Sequence, residues 1–134
     1  MIGLDTNVLV RYITQDDLDQ ATMANKIVED SAKASTPLYI NNIVLCELSW
    51  VMMRAYKITK EELVNLLEKI ILTAEFEIEN REYVWQALSD YKLCKAEFTD
   101  ALIGRINMGM GCKKTYTFDN DCILLPTFAG IDNA

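Results

Sequence analysis

The sequence predicts an α/β fold in which a mostly parallel sheet is flanked by helices. Short apolar segments of strand type alternate with longer segments of helical periodicity, an order that is typical of βαβ units. The chain has 134 residues, of which 51% are hydrophobic, so it is long enough to bury a core. Because no linker, low-complexity tract or internal repeat divides it, we expect one domain over residues 1–134.

In the first half of the chain, capping residues and apolar spacing delimit the elements. Threonine, asparagine or aspartate begins each predicted helix, because these side chains accept backbone N–H bonds. The elements are, in order, a short buried strand at 2–5, a helix capped by Thr6 or Asn7, a helix at 16–34 with Asp16 and Asp17 in its first turn, a strand at 37–40, a helix from Asn41 or Asn42 to about residue 56, and a helix at 59–72 that Thr59 and Glu62 open as a capping box.

The second half repeats the alternation of strands and helices. The elements are a strand at 76–78, a helix at 80–91 capped by Asn80, a helix from Phe98 or Thr99 through 107 that ends in the glycines of 109–111, a strand at 115–118 and a last short strand at 123–125. Ligands bind outside the carboxyl ends of parallel strands, so the residues that follow strands 2–5 and 115–118 are expected at one edge of the sheet.

Histidine is absent from the chain, and cysteine shows no paired spacing. The four cysteines are Cys46, Cys94, Cys112 and Cys122. The lack of histidine excludes a Ser-His-Asp triad, and together with the cysteine spacing it argues against a structural zinc site. We expect the cysteines to be free and to behave as small buried hydrophobic residues.

The N-terminal residues and the lengths of the apolar stretches indicate where in the cell the protein is located. Asp5 interrupts the first apolar run and no basic segment precedes it, so no signal peptide is predicted. No window approaches the roughly 20 apolar residues of a membrane span. We therefore predict a cytoplasmic protein without a membrane segment.

The net charge of −7 argues against extensive electrostatic binding to the phosphate backbone of nucleic acid. Local pairs of lysines, Lys92 with Lys95 and Lys113 with Lys114, can supply phosphate affinity within an acidic chain. The alternative for each lysine taken singly is a solvated surface position.

Four acidic residues stand beside apolar segments: Asp5, Glu47, Asp100 and Asp119. A carboxylate near a core is costly unless it is paired or binds a cation, and few lysines or arginines neighbour these positions. If the four converge, their repulsion favours a divalent ion, and oxygen ligands suit Mg²⁺ or Mn²⁺. We interpret the pattern as that of a metal-dependent nuclease, while a cap or turn role is the alternative for each acid alone.

The segments that carry these acids resemble the PIN domain family, in particular the VapC-type toxins of toxin–antitoxin pairs. The opening residues 1–12, with Asp5 followed by Thr6 and Asn7, are similar to the start of that family. Segments 45–48, 96–103 and 117–119 resemble its second, third and fourth acidic motifs. The motifs follow the family's order at its approximate spacing, and the resemblance spans nearly the whole chain.

The resemblance implies a PIN-like three-layer α/β/α fold and an endoribonuclease that cleaves RNA with one or two divalent ions, Mg²⁺ or Mn²⁺. The implied catalytic and metal-binding residues are Asp5, Glu47, Asp100 and Asp119, with Asn7, Glu97, Thr117 and Asp121 in support. Asp119 is preferred to Asp121 because it follows Thr117 and Phe118 directly. Glu97 departs from the family, which often has aspartate there, and its longer side chain affects the strict geometry of Mg²⁺.

The resemblance also implies partners. In that family, the region that corresponds to the apolar helices at 42–56 and 59–72 receives a segment of the cognate antitoxin protein, and an apolar groove can accept an amphipathic helix. A homodimer is a further expectation from the family.

Two alternative functions remain open at this point. The first is a catalytically silent PIN-like module that binds RNA or a partner without cleaving. The second is a phosphotransfer domain. A phosphatase of that type needs a second aspartate where the chain has Asn7, and a receiver needs a central acceptor aspartate that segment 51–57 lacks.

Overall fold

The computed structural model describes residues 1–131, and within them strands and helices alternate as predicted. The elements are β1 (Ile2–Gly3), α1 (Thr6–Thr14), α2 (Leu18–Ala34), β2 (Leu38–Ile40), α3 (Asn42–Arg54), α4 (Lys60–Leu72), β3 (Phe76–Ile78), α5 (Arg81–Lys92), α6 (Phe98–Gly109), β4 (Thr115–Thr117), α7 (Asn120–Ile123) and β5 (Phe128–Gly130). Every strand pairing in this part of the chain is parallel, which confirms the α/β class.

The chain divides into two compact units, and the first covers Met1–Glu79. Its sheet has the order β1-β2-β3, with Ile2 beside Leu38 and Leu38 beside Phe76. Helical crossovers must join parallel neighbours, and α1 to α4 supply them. The core of this unit is aliphatic; its fully buried members include Leu9, Leu38, Ile40, Leu45, Leu48, Leu63, Leu67 and Ile71.

The second unit begins at Asn80 and contains α5, α6, α7 and the parallel pair β4-β5. Its core includes Leu88, Leu102 and Phe98, whose ring packs edge-on against Tyr91. Gly104 lies on the buried side of α6, where a Cβ would collide with the side chain of Thr127. The prediction of a single domain over residues 1–134 stays a prediction.

Acidic residues cap the helices α1, α2 and α6; the caps of α1 and α2 differ from the prediction, whereas α6 begins at Phe98 as predicted. Asp5, rather than Thr6 or Asn7, caps α1. Asp17 caps α2, so Asp16 precedes that helix instead of lying in its first turn. Glu97 is the N-cap of α6. The predictions of caps at Asn41 and of a Thr59–Glu62 capping box are confirmed.

Two strand predictions were wrong in position or burial. Residues 123–125 form no strand, because Asp119 caps the short helix α7 and the backbone N–H of Leu125 bonds to Cys122 within the same turn. The last strand is β5, which pairs with β4. β1 was predicted to be buried, but Ile2 is 62% exposed because β1 lies at the edge of its sheet.

Within residues 1–131, no helix is long and apolar enough to cross a membrane.

The ion pair between Arg105 and Asp90 ties α6 to α5. Two nitrogens of the guanidinium bond both carboxylate oxygens, at 2.6 and 2.8 Å. We expect Asp90→Ala to lower the free energy of unfolding by about 2 kcal/mol, since the remaining half-buried charge loses its hydrogen bonds. Urea unfolding followed by circular dichroism measures this loss.

The control is Asp30→Ala, which removes the partner of Lys26 from an exposed ion pair within α2. Solvent screens that pair, so its loss leaves the urea midpoint nearly unchanged. Equal midpoints for both variants would contradict a structural role for the Asp90–Arg105 pair.

Candidate functional site

In the first unit, Thr6 joins the two acidic residues Asp5 and Glu47. The backbone N–H of Thr6 donates to Asp5 Oδ1 at 2.7 Å, and its hydroxyl donates to Glu47 Oε1 at 2.9 Å. Thr6 itself is buried in the first turn of α1, so its position is fixed. The two carboxylates are therefore held through one residue although 42 positions of sequence numbering separate 5 from 47.

Glu47 lies on the exposed side of α3. Ile43, Trp50 and Arg54 share this side at helical spacing, and each is exposed. The buried side of the same helix carries Val44, Leu45, Leu48 and Met52. The run of apolar residues around Glu47 thus reflects a helix with apolar residues on both sides, and not burial of the glutamate.

In the second unit, three side chains bring potential metal ligands together. One carboxylate oxygen each of Asp100 and Asp119 and the sulfur of Cys122 all lie within 4.8 Å of one another. Asp100 comes from the first turn of α6, Asp119 is the N-cap of α7, and Cys122 lies within α7. This group contains Asp119 and not Asp121.

Backbone N–H groups at helix starts orient both aspartates of the second unit. Asp100 Oδ2 accepts from the N–H of Glu97 at 3.0 Å, in the arrangement of a capping box. Asp119 Oδ1 accepts from the N–H of Asp121 at 2.9 Å. The hydroxyl oxygen of Thr117 in turn accepts from the N–H of Asp119 at 3.0 Å. Each aspartate uses one of its two oxygens in these backbone bonds.

Cys122 is buried beside these two carboxylates. Burial first, and then the neighbouring negative charges of Asp100 and Asp119, raise the pKa of its thiol to about 12. A thiol that holds its proton donates a hydrogen bond to a carboxylate instead of adding a third negative charge.

The four acids are more exposed than their sequence surroundings suggest. Asp5, Glu47 and Asp119 are exposed and Asp100 is half-buried, so the expectation of carboxylates near a core was wrong. The expectation of few cationic partners holds: within residues 1–131, no lysine or arginine forms an ion pair with any of the four. Oxygen ligands without a cationic partner are the donor set that a hard divalent ion takes.

The supporting residues predicted from sequence have different surroundings. Thr117 orients Asp119, the N–H of Glu97 orients Asp100, and the N–H of Asp121 bonds Asp119. Asn7 is exposed and lines an open cavity of about 510 Å³ between α1 and α2. Their roles in catalysis stay predictions.

Two residues near the acids had no site role in the sequence interpretation, namely Thr6 and Cys122. Thr6 had been assigned only as a helix cap, and no spacing rule links it to Glu47. The cysteines are free as expected, but only Cys122 is buried: Cys46 and Cys94 are half-buried and Cys112 is exposed. The general prediction of buried cysteines was therefore wrong for three of the four.

Comparisons with known proteins agree on one family. Residues 2–126 match the family model described as PIN domain. A protein of Aquifex aeolicus (strain VF5) named VapC ribonuclease is 23% identical over 115 residues, which cover 86% of this chain and 84% of that protein. The family match spans the positions of all four acids, and it confirms both the resemblance and the predicted fold class.

The reactivity of the cysteines tests whether Cys122 is buried and protonated beside Asp100 and Asp119. In a short pulse of iodoacetamide at about pH 8.5, the exposed Cys112 should be alkylated. Cys122 should react at least roughly 100-fold more slowly, because the thiolate is the nucleophile and the raised pKa keeps this thiol protonated. Peptide mapping by mass spectrometry reads each cysteine separately. In urea the two should react alike, and equal rates in the native protein would contradict a buried, protonated Cys122.

Proposed function

The chain belongs to the PIN domain family, and from this membership we propose that it is a divalent-metal-dependent endoribonuclease and the toxin of a toxin–antitoxin pair. The name of its Aquifex relative, VapC ribonuclease, supports RNA as the substrate. The single observation that carries the chemistry is the pair of aspartates, Asp100 and Asp119, whose ligand atoms lie together without a cationic partner.

We assign metal binding to Asp5, Glu47, Asp100 and Asp119, with Mg²⁺ or Mn²⁺ as the ion. All four offer carboxylate oxygens, and three are aspartates already oriented by backbone N–H groups. Preorganised ligands lower the cost of assembling a coordination sphere with strict geometry, as Mg²⁺ requires. The ion supplies activation of water and neutralisation of phosphate charge when it is bound.

The protein's own groups must handle the proton of the attacking water. Because the chain has no histidine, we assign a carboxylate as the general base, and the exposed residues Glu47 and Asp119 are the proposed candidates. Asp5 and Asp100, at the starts of α1 and α6, hold the charge that binds the ion. Backbone N–H groups at the starts of those two helices donate to both carboxylates and orient them.

Thr6 is assigned as a positioning residue. Its hydroxyl fixes Glu47 and its N–H fixes Asp5, so one short segment sets two ligands. Residues that hydrogen-bond to metal ligands orient those ligands, and their mutation commonly lowers metal affinity or activity by roughly 10- to 100-fold.

The antitoxin is the proposed protein partner, and α3 and α4 are its proposed binding region. Trp50 and Met53 on α3 are each 37% exposed, and Leu72 at the end of α4 is 66% exposed. Exposed apolar side chains on neighbouring helices suit the apolar side of an amphipathic segment. A homodimer is proposed from the family.

Cleavage of RNA by the purified protein tests the proposed activity. With Mg²⁺ or Mn²⁺ present, we expect RNA cleavage that EDTA abolishes. Asp5→Asn and Asp100→Asn should each lower the cleavage rate by more than about 100-fold, which exceeds the loss expected when a residue only supports a metal ligand. These variants keep the shape and the capping oxygen of the aspartates while they remove a charged ligand.

Asp30→Asn is the matched control, because Asp30 is an exposed aspartate on α2 that pairs with Lys26. It should cleave as the wild type does. If the folded, antitoxin-free wild type cleaves no RNA while it still binds RNA or a partner, the alternative of a catalytically silent module replaces the proposal.

The role of Thr6 is tested by a pair of substitutions. Thr6→Val removes the hydroxyl and should lower cleavage by about 10-fold and raise the Mn²⁺ concentration needed for half-maximal activity. Thr6→Ser keeps the hydroxyl and should restore both values. In the Glu47→Gln background the effect of Thr6→Val should become smaller, because the two act as a unit; fully additive losses would contradict the assignment.

A further inference from the structure

Two aromatic side chains near Asp119 are exposed to solvent. Phe118, which directly precedes Asp119, is 84% exposed, and Tyr116 on β4 is 56% exposed. Neither belongs to the hydrophobic core of the described chain. Single exposed apolar residues are common on proteins, but an aromatic pair next to a candidate metal ligand is a feature that requires a reason.

The backbone places the two rings so that both stay uncovered. In β4, Thr115 and Thr117 are half-buried while Tyr116 is exposed, as strand alternation requires. Tyr116 is beside Ala129 of β5, whose small side chain cannot cover an aromatic ring. Phe118 lies one residue beyond the end of β4, in the bend that precedes α7.

The charge of this segment differs from that of the whole chain. Between Asp100 and Asp119 the sequence carries no acidic residue and three basic ones, Arg105, Lys113 and Lys114, although the net charge of the chain is −7. Arg105 is paired with Asp90, whereas Lys113 and Lys114 are exposed at the start of β4. Lys114 Nζ donates to the carbonyl oxygen of Pro126 at 2.6 Å, which fixes its ammonium beside the strand.

We infer that Tyr116 and Phe118 form a stacking platform for the bases of single-stranded RNA, with Lys113 and Lys114 contacting its phosphates. Exposed aromatic rings accept unstacked bases of any sequence, and lysines beside them follow the phosphate backbone. This inference rests on the proposed ribonuclease activity for the identity of the nucleic acid. It adds that the RNA is bound unpaired and that the base stacked on Phe118 is adjacent to the phosphate at the metal ligands.

Binding of a labelled oligonucleotide tests the platform without cleavage. The probe is an unstructured single-stranded oligoribonucleotide of about 10 nucleotides, the site size of a small single-strand-binding surface. Fluorescence anisotropy in EDTA and low salt measures its dissociation constant, since metal-assisted cleavage cannot then consume it. We expect Phe118→Ala to raise the dissociation constant by about 10-fold, the loss of roughly one stacked base.

Further variants separate stacking from simple apolar contact. Phe118→Leu keeps apolar volume without a ring and should lose affinity nearly as Phe118→Ala does, while Phe118→Tyr should bind as the wild type does. Leu93→Ala is the matched control, because Leu93 is 92% exposed in the same unit but offers no ring. A duplex of the same sequence should bind equally to the wild type and Phe118→Ala, since its bases are already stacked.

The outcomes for the platform and for the nuclease are distinct. Metal-dependent cleavage with unchanged affinity of Phe118→Ala for the single strand would overturn the platform and leave the nuclease, with the aromatic pair then available to a protein partner. Loss of affinity on Phe118→Ala in a protein that cleaves nothing would support the platform and overturn the nuclease. Equal losses for Phe118→Ala and Leu93→Ala would also overturn the platform.

Discussion

Backbone N–H groups at helix starts hold three of the four acids, and the candidate chemistry depends on these bonds. Asp5 and Asp119 each follow a strand and cap the next helix, and Asp100 accepts a bond in the first turn of α6. The unsatisfied N–H groups and the positive end of the helix dipole stabilise a carboxylate at such a position. The same bond that caps a helix therefore also orients an acid that we propose as a metal ligand, so the formation of these helices and the placement of the acids are coupled. Glu47 lies within a helix, and the hydroxyl of Thr6 takes over this function.

The sequence predicted the start of a helix correctly where the residue type of the N-cap determines that start. The Thr59–Glu62 capping box and the cap at Asn41 are examples, because the side chain that bonds the backbone is visible in the sequence. The segment at 123–125 shows the limit. A short apolar run is compatible with a strand or with a helical turn. Here the helical turn forms because Asp119 caps it, and the strand that pairs with β4 is β5 at Phe128–Gly130.

The positions of the acids could be predicted from the sequence, but the reason first given for them was wrong. Apolar neighbours suggested burial of Glu47, yet the α3 side that it shares with Ile43 is exposed. Motif order, which depends on resemblance and not on burial, is what identified the acids. Thr6 and Cys122 had no such signal, because their roles rest on hydrogen bonds and contacts made by the folded chain: Thr6 reaches a residue 41 positions away. Long-range contacts of this kind are not encoded in any local spacing.

The proposed binding of RNA requires that local features offset the negative net charge of the chain. With a net charge of −7, the chain as a whole repels phosphate, and the four carboxylates add to this repulsion until a cation binds them. Stacking on Tyr116 and Phe118 is independent of net charge, since every base has an aromatic face. The segment between Asp100 and Asp119 combines such rings with basic residues and no acid. On the proposed platform, selection of unpaired RNA would follow, because only an unpaired base can leave its neighbours and lie on a protein ring beside the proposed metal ligands.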